Sequence, residues 1–282
     1  MKTVSDSSTN PDLPPLREVI RSYDLRAEKS LGQNFLLDGN VTDKIVSLVQ
    51  PYLSEKTTAF EIGPGPGGLT RSLLKSDVQK VIAIEFDERA IRALGSLQEC
   101  YQERLELVQS DALDIQICSL SDAPRAIIAN LPYNIATPLL INWLRDIANS
   151  SGSFDVMALM FQKEVGDRIV ASVGSKAYGR LSIIAQWLCG VQKIYDLPPS
   201  AFTPPPKVYS SVIRFVPKRN NKDGHLFEKL ERITALAFQQ RRKMIRSSLK
   251  VYLKEIEQAE IDPTLRAENL SVDDFIKIAS LI

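Results

Sequence analysis

Short apolar runs alternate with longer amphipathic stretches over the first two-thirds of the chain. The runs Thr58–Ile62, Lys80–Glu85, Leu105–Asp111, Ala126–Asn130 and Val156–Phe161 are rich in Ile, Val or Phe and bounded by polar or turn-forming residues, as strands are. Between them, Leu69–Lys75 and Glu88–Arg104 space their apolar residues as helices do. Strand and helix in alternation predict right-handed βαβ units and a parallel sheet covered on both faces. Ala201–Val216 reads as a proline-rich loop entering a late β-branched strand. After Pro217, Lys218–His225 reads as a linker, and from Leu226 on the periodicity is helical only, with Leu226, Leu230, Ile233, Ala237 and Phe238 at three- and four-residue spacing. The expected organisation is a disordered tail over 1–15, an α/β domain over 16–217 and a small all-helical domain over 218–282.

Composition narrows the function classes. A hydrophobic share of 44% with 24% charged residues fits a soluble globular protein, and apolar stretches such as Ile183–Val191 are far too short to span a bilayer. Met1–Pro15 is polar and lacks the basic start and apolar core of a secretion signal, so a cytoplasmic protein is expected, with a monomer as the default. Cys100, Cys118 and Cys189 are scattered without CxxC spacing, which argues against a disulfide framework and a zinc site, and no metal is expected. His225 is the only histidine and falls in the expected linker, which sets aside Ser-His-Asp and Cys-His chemistry. The net charge of +1 hides an asymmetry: Ala201–Lys250 carries twelve Lys and Arg against three acids, and the rest of the chain is acidic. A basic segment on an acidic chain points to a polyanionic partner.

Two motifs follow strand candidates. Phe60-Glu61-Ile62-Gly63-Pro64-Gly65-Pro66-Gly67-Gly68-Leu69-Thr70 lies between the first strand and a helix. Glycines there let a bulky ligand approach the backbone, in the crevice where open α/β sheets bind nucleosides. Glu85, ending the second strand 22 residues after Gly63, can accept from both ribose hydroxyls, and Asp111, ending the third and followed by Ala112, can accept from an adenine amine. Gly63, Gly65 and Gly68 also satisfy the dinucleotide pattern GxGxxG, so a nicotinamide-dependent oxidoreductase stays open at this point.

The second motif is Asn130-Leu131-Pro132-Tyr133, after the fourth strand. Adenine N6 is a poor nucleophile because its lone pair is conjugated with the ring. The Asn130 side-chain oxygen and the Leu131 carbonyl can hold its two hydrogens and favour a pyramidal nitrogen, with Pro132 fixing the turn. Tyr133 offers a flat face for stacking on a base removed from its helix. In-line methyl transfer then needs positioning rather than a metal or a histidine. No cysteine is preceded by Pro or Thr, which excludes the thiolate route to cytosine C5.

These motifs, with Lys29-Ser30-Leu31-Gly32-Gln33-Asn34-Phe35-Leu36, Phe202-Thr203-Pro204-Pro205-Pro206-Lys207-Val208 and Phe238-Gln239-Gln240-Arg241-Arg242-Lys243, make the chain resemble the bacterial ribosomal RNA adenine N6,N6-dimethyltransferases from about Leu25 to the C-terminus. The resemblance implies a class I S-adenosylmethionine-dependent fold: Rossmann-like, with a seven-stranded, mostly parallel sheet and a helical C-terminal region. It implies cofactor contacts at Gln33, Asn34, Leu36, Gly63, Gly65, Glu85, Asp111, Ala112 and Asn130, with S-adenosylhomocysteine as the by-product. It implies a target-base site at Asn130–Tyr133, with Phe202 covering the second face of the base. Two adjacent adenines in the 3′-terminal hairpin of 16S rRNA, in the small subunit or its precursor, would be dimethylated. Lys207, Arg241, Arg242, Lys243 and Arg246, within the basic segment, are the RNA-binding candidates. The rival readings are the 23S-specific dimethylase of macrolide resistance, the oxidoreductase above, and a non-catalytic RNA-binding factor.

Overall fold

The computed structural model describes residues 13–25, 34–150, 152–218 and 223–282, so the expected tail up to residue 12, Gln33 and the linker residues 219–222 lie outside the described residues. Residues 13–15, expected to be part of a disordered tail, are placed: Leu13 packs against the core and the Pro14 carbonyl accepts from Arg71 Nη2 at 2.8 Å.

In chain order, α1 (Leu16–Ser22), β1 (Phe35–Leu36) and α2 (Gly39–Ser47) precede an alternating run. That run is β2 (Thr58–Ile62), α3 (Gly68–Lys75), β3 (Lys80–Glu85), α4 (Glu88–Tyr101), β4 (Leu105–Gln109), β5 (Arg125–Ala129), α5 (Ala136–Asn149) and β6 (Val156–Gln162). There follow α6 (Lys163–Ile169), α7 (Arg180–Leu188), β7 (Cys189–Leu197), β8 (Phe202–Thr203) and β9 (Ser210–Pro217), then the helices α8 (Gly224–Gln239), α9 (Ile245–Ser248), α10 (Leu253–Gln258) and α11 (Val272–Leu281).

Seven strands form one sheet in the order β4-β3-β2-β5-β6-β9-β7. Its first five strands run parallel, while β9 is antiparallel to both β6 and β7. The chain builds outward from β2 to β4, then returns to lay β5 on the other side of β2. That reversal opens a crevice at the carboxyl ends of β2 and β5. Strand periodicity divides each strand between the two faces. Phe60, Ile62, Ile82, Ile84, Ile127, Met157, Leu159 and Phe161 face one apolar cluster, and Ala59, Val81, Ala83, Ala126, Ile128, Ala158 and Met160 face the other. Both faces are covered, which is why these strands read as nearly unbroken apolar runs.

The first cluster does not stop at residue 217. Phe227, Leu230 and Ile233 of α8 and Phe275 and Ile278 of α11 join Trp143 of α5 and Trp187 of α7 in it. The α8 helix starts at Gly224, capped by Asp223, whose carboxylate accepts from Leu226 N–H at 3.0 Å. His225 therefore sits in a first helical turn rather than in a linker, and Lys218 is tied back through its N–H to the Leu188 carbonyl at 2.8 Å. The strand β7 escaped the pattern because it is half exposed and its alternation breaks at a bulge between Lys193 and Tyr195. No helix among the described residues is long and apolar enough to cross a membrane.

Phe227 is fully buried, 6.4 Å from the Trp187 ring and beneath the Arg145 guanidinium. Phe227→Ala is expected to cost about 3–5 kcal/mol of unfolding free energy. Circular dichroism and tryptophan fluorescence should then report a single urea transition at a lower midpoint. Two separated transitions would show instead that the helices after 217 fold apart from the sheet.

Candidate active site

The crevice is lined by the strand ends that the topology gathers there. Glu61–Pro66 follow from β2, Ile84–Phe86 from β3, Ser110–Ala112 from β4 and Asn130–Ile135 from β5, with Asn34–Leu36 closing the side. The turn after β2 owes its shape to glycine. Gly63, Gly65 and Gly67 all take positive φ, which side-chain-bearing residues rarely adopt. Close approach adds a second demand: a Cβ on Gly65 would meet the Phe35 ring at 2.7 Å, and one on Gly68 would meet the Leu36 carbonyl at 2.2 Å. The 34–36 segment therefore lies directly on the turn, held from its far side by pairing of Phe35 with Thr203 and Leu36 with Phe202.

Glu85 is 6% exposed and anchored by three backbone donors: Phe86 and Asp87 N–H to Oε1 at 2.8 and 2.9 Å, and Gly65 N–H to Oε2 at 3.2 Å. One carboxylate thus ties the end of β3 to the glycine turn and faces the crevice. Burial raises its pKa, against the pull of these three N–H donors. Asp111 does not end a strand, since β4 stops at Gln109. It stands in the next turn, where its Oδ1 accepts from Leu113 N–H at 2.9 Å, and both it and Ala112 line the crevice.

Asn130 follows directly on β5, and its Nδ2 donates to the Asn34 carbonyl at 2.8 Å. Only the amide nitrogen can donate to a carbonyl, so the side-chain oxygen is left as an acceptor. The Leu131 carbonyl accepts no hydrogen bond among the described residues, whereas the Pro132 carbonyl receives Ile135 and Ala136 N–H and starts α5. Tyr133 is half-buried on the crevice wall, its hydroxyl fixed by Ser210 Oγ at 2.6 Å. Burial pushes its pKa up, against the pull of the hydrogen bond to Ser210.

Some of the expected site residues are not on the crevice wall. Phe202 is 3% exposed, belongs to the apolar cluster behind β1 and does not line the crevice. Arg241 is held by Glu268 at 3.0 Å and by the Tyr178 carbonyl at 3.0 Å, which makes it a brace between the α6–α7 connection and the C-terminal helices. Arg242, Lys243, Arg246 and Lys207 are exposed and do not line the crevice.

One residue was missed. Glu61 is 2% exposed, lines the crevice, and its Oε2 is buried without a hydrogen-bond partner. Burial, with the nearby Glu85 charge adding to it, lifts its pKa to about 8. The signal was present: an acid inside the fully buried run Thr58–Ile62 carries a cost that a function must justify. A buried acid beside a glycine cradle, with Thr70 of α3 as its neighbouring donor and one oxygen unpartnered, suits a ligand carrying positive charge. The first turn of α3, which has no side-chain cap, suits a carboxylate on that same ligand. An amino-acid-bearing sulfonium nucleoside has both.

The profile of the family described as ribosomal RNA adenine dimethylase matches residues 24–282. The ribosomal RNA small subunit methyltransferase A of Rhodospirillum rubrum is 50% identical over 274 residues, covering 96% of this chain and 93% of its own. Its counterpart in Gluconobacter oxydans is 48% identical, covering 97% of this chain and 89% of its own. Among solved structures, a dimethyladenosine transferase from Plasmodium falciparum superposes with a TM-score of 0.73 at 26% identity, over 86% of this chain and 94% of that one. The 23S rRNA methyltransferase ErmE, at 21% identity, shares the fold with a TM-score of 0.67 over 88% of this chain and 98% of that one.

The buried acid makes a pH prediction. Glu61 holds its proton in the folded state up to about pH 8 but loses it near 4.5 when unfolded. The stability this gives is complete below the unfolded value and is lost as pH rises through 8. Glu61→Gln should therefore gain on wild type progressively from pH 5 to pH 8 and hold a constant lead above it. Urea titrations of the ligand-free proteins at pH 5, 7 and 9 measure this, and a pH-independent difference would contradict the assignment.

Proposed function

This chain belongs to the ribosomal RNA adenine dimethylase family, and on that premise we propose that it dimethylates N6 of two adjacent adenines in the 3′-terminal hairpin loop of 16S rRNA. Its substrate is the small ribosomal subunit or a precursor of it, and it acts as a cytoplasmic monomer during ribosome biogenesis. The chain is an S-adenosylmethionine-dependent rRNA methyltransferase. The names of relatives near 50% identity support the small subunit over the 23S alternative. The family also supports an adenosyl sulfonium over a nicotinamide dinucleotide at the glycine turn.

S-adenosylmethionine, when bound, supplies an electrophilic methyl on a sulfonium. Gly63 and Gly65 leave room for it against the backbone, Glu85 accepts from its ribose hydroxyls, and Asp111 and Ala112 frame its base. Asn34 and Leu36 would close over its amino-acid end, where the ammonium would draw the proton off Glu61 and pair with the resulting carboxylate. On the RNA side, the Asn130 side-chain oxygen and the Leu131 carbonyl accept hydrogen bonds from the N6 hydrogens, which frees the nitrogen lone pair for in-line attack on the methyl. The pair of the broken C–S bond would stay on sulfur, and the surplus N6 proton would pass to water. Tyr133 stacks on the base. The observation that carries this reading is the 2.8 Å bond from Asn130 Nδ2 to the Asn34 carbonyl. It spends the donor half of the amide on the segment closing the crevice and leaves the acceptor half for an amine. Arg242, Lys243 and Arg246, exposed on the C-terminal helical region, neutralise RNA phosphates.

Methyl mapping by mass spectrometry on small subunits lacking the modification tests the reading directly, with unmodified large subunits as the second arm. Label confined to adjacent adenines of 16S rRNA is expected, and label on large subunits would overturn it. Tyr133→Ala should lower kcat/KM for the subunit by about 5- to 150-fold, the worth of one base stack, and leave S-adenosylhomocysteine affinity within about twofold by calorimetry.

Arg241 and its neighbours should separate. Arg242→Ala with Lys243→Ala is expected to weaken RNA binding and flatten its salt dependence without moving Tm. Arg241→Ala should instead lower stability by about 1–2 kcal/mol through its lost carbonyl and carboxylate bonds.

A further inference from the structure

One exposed patch lies on the rim of the base site and has no part in the chemistry above. Lys207, Val208 and Tyr209 precede β9 and are all exposed, Val208 by 44% and Tyr209 by 53%. The register places them. Ser210, first residue of β9, lies opposite Gln162, last residue of β6, so the antiparallel β9 brings Tyr209 to the carboxyl edge where β5 delivers Asn130–Tyr133. The link to the base site is direct: Ser210 Oγ bonds the Tyr133 hydroxyl at 2.6 Å. The platform is also firm, because the Tyr209 carbonyl receives Lys163 N–H at 2.8 Å and Ser211 is bonded to Asp196 on β7.

An isolated exposed aromatic needs no explanation, but this one adjoins the stacking residue of the proposed site, on a rigid corner, with a cation two residues away. Aromatic faces beside cations are how single-stranded nucleic acid is held. An adenine presented to Tyr133 must leave its own stack, and its neighbour along the chain is then left with one bare face. We propose that Tyr209, buttressed by Val208, stacks the nucleotide next to the target adenine, while Lys207 pairs with the adjoining phosphate. Tyr209 is thus a positioning residue that sets which unstacked adenine the crevice accepts. This rests on the adenine-methylation reading above.

The test is a cycle in two dimensions. Small subunits are reassembled on RNA that is intact or carries an abasic residue on the 5′ or the 3′ side of a target adenine. Methyl transfer to each is measured with wild type, Tyr209→Ala and Tyr209→Phe. On intact RNA, Tyr209→Ala is expected to lose about 5- to 150-fold in kcat/KM, Tyr209→Phe to keep near wild-type rate, and S-adenosylhomocysteine affinity and Tm to stay unchanged. On one of the two abasic substrates, wild type should fall to the level of Tyr209→Ala, with no further loss when both changes are combined. Equal loss from Tyr209→Ala on all three substrates would overturn the proposal, as would no loss on intact RNA or failure of Phe to substitute. Absence of transfer by wild type to intact subunits would instead sink the underlying functional reading.

Discussion

The site depends on one close approach: the backbone of residues 34–36 lying on the glycine turn between β2 and α3. A Cβ at Gly68 would fall 2.2 Å from the Leu36 carbonyl and one at Gly65 would strike the Phe35 ring, so the contact exists only because both positions lack side chains. The same segment offers the Asn34 carbonyl to Asn130 and pairs with Phe202 and Thr203 on its outer edge. Four stretches distant in sequence thereby fix one another. The closing segment cannot shift without releasing the Asn130 amide, so on the proposed reading cofactor enclosure and base recognition share one mechanical element.

Electrostatics of the crevice follow from where the sheet puts its acids. Glu61 and Glu85 come from the ends of adjacent parallel strands, both nearly buried, both raised in pKa by loss of water. They differ in how they are satisfied. Glu85 is anchored by three backbone donors and so acts as a fixed acceptor, whereas Glu61 keeps an unpartnered oxygen. An acid with an unpartnered oxygen in a dry wall keeps its proton while the crevice is empty, and a cationic group brought against it favours the ionised form. On the proposed reading, the ammonium of the sulfonium cofactor is the group that would draw that proton off and pair with the carboxylate.

Much of this was legible from residues alone, and for identifiable reasons. The strands β2, β3, β5 and β6 are buried on both faces, so their apolar runs are unbroken and bounded by turn residues. The glycine turn and the Asn130–Tyr133 corner announce themselves because each residue type has a backbone or hydrogen-bonding requirement of its own. What escaped depends on contacts between distant segments. The bulged, half-exposed β7 has no clean period. The roles of Phe202 and Arg241 turn on whether a ring is covered by β1 and whether a guanidinium meets Glu268, which sequence spacing does not record. Glu61 is the opposite case: an acid in the middle of an apolar run is a local anomaly, and the pattern of residues 58–62 alone is enough to single it out.

The reversed strand β9 explains why the sheet extends past the five parallel strands that would suffice for a nucleoside. A parallel continuation would carry the connection after the strand to the crevice edge and the connection before it to the opposite one. Because β9 runs antiparallel to β6, the proline-rich segment that precedes it reaches the crevice edge, and Ser210 arrives within 2.6 Å of the Tyr133 hydroxyl. The strand then leads back across the sheet to Lys218 and the start of α8, whose apolar face closes the cluster shared with α5 and α7. A single reversal therefore serves both ends: it brings the segment before β9 to the crevice edge and returns the chain at the other, where the C-terminal helices can be packed onto the same core. Rim and helices are thus held at a fixed separation by the sheet itself, which is what the proposed reading requires of a protein that holds a folded RNA and an extruded base together.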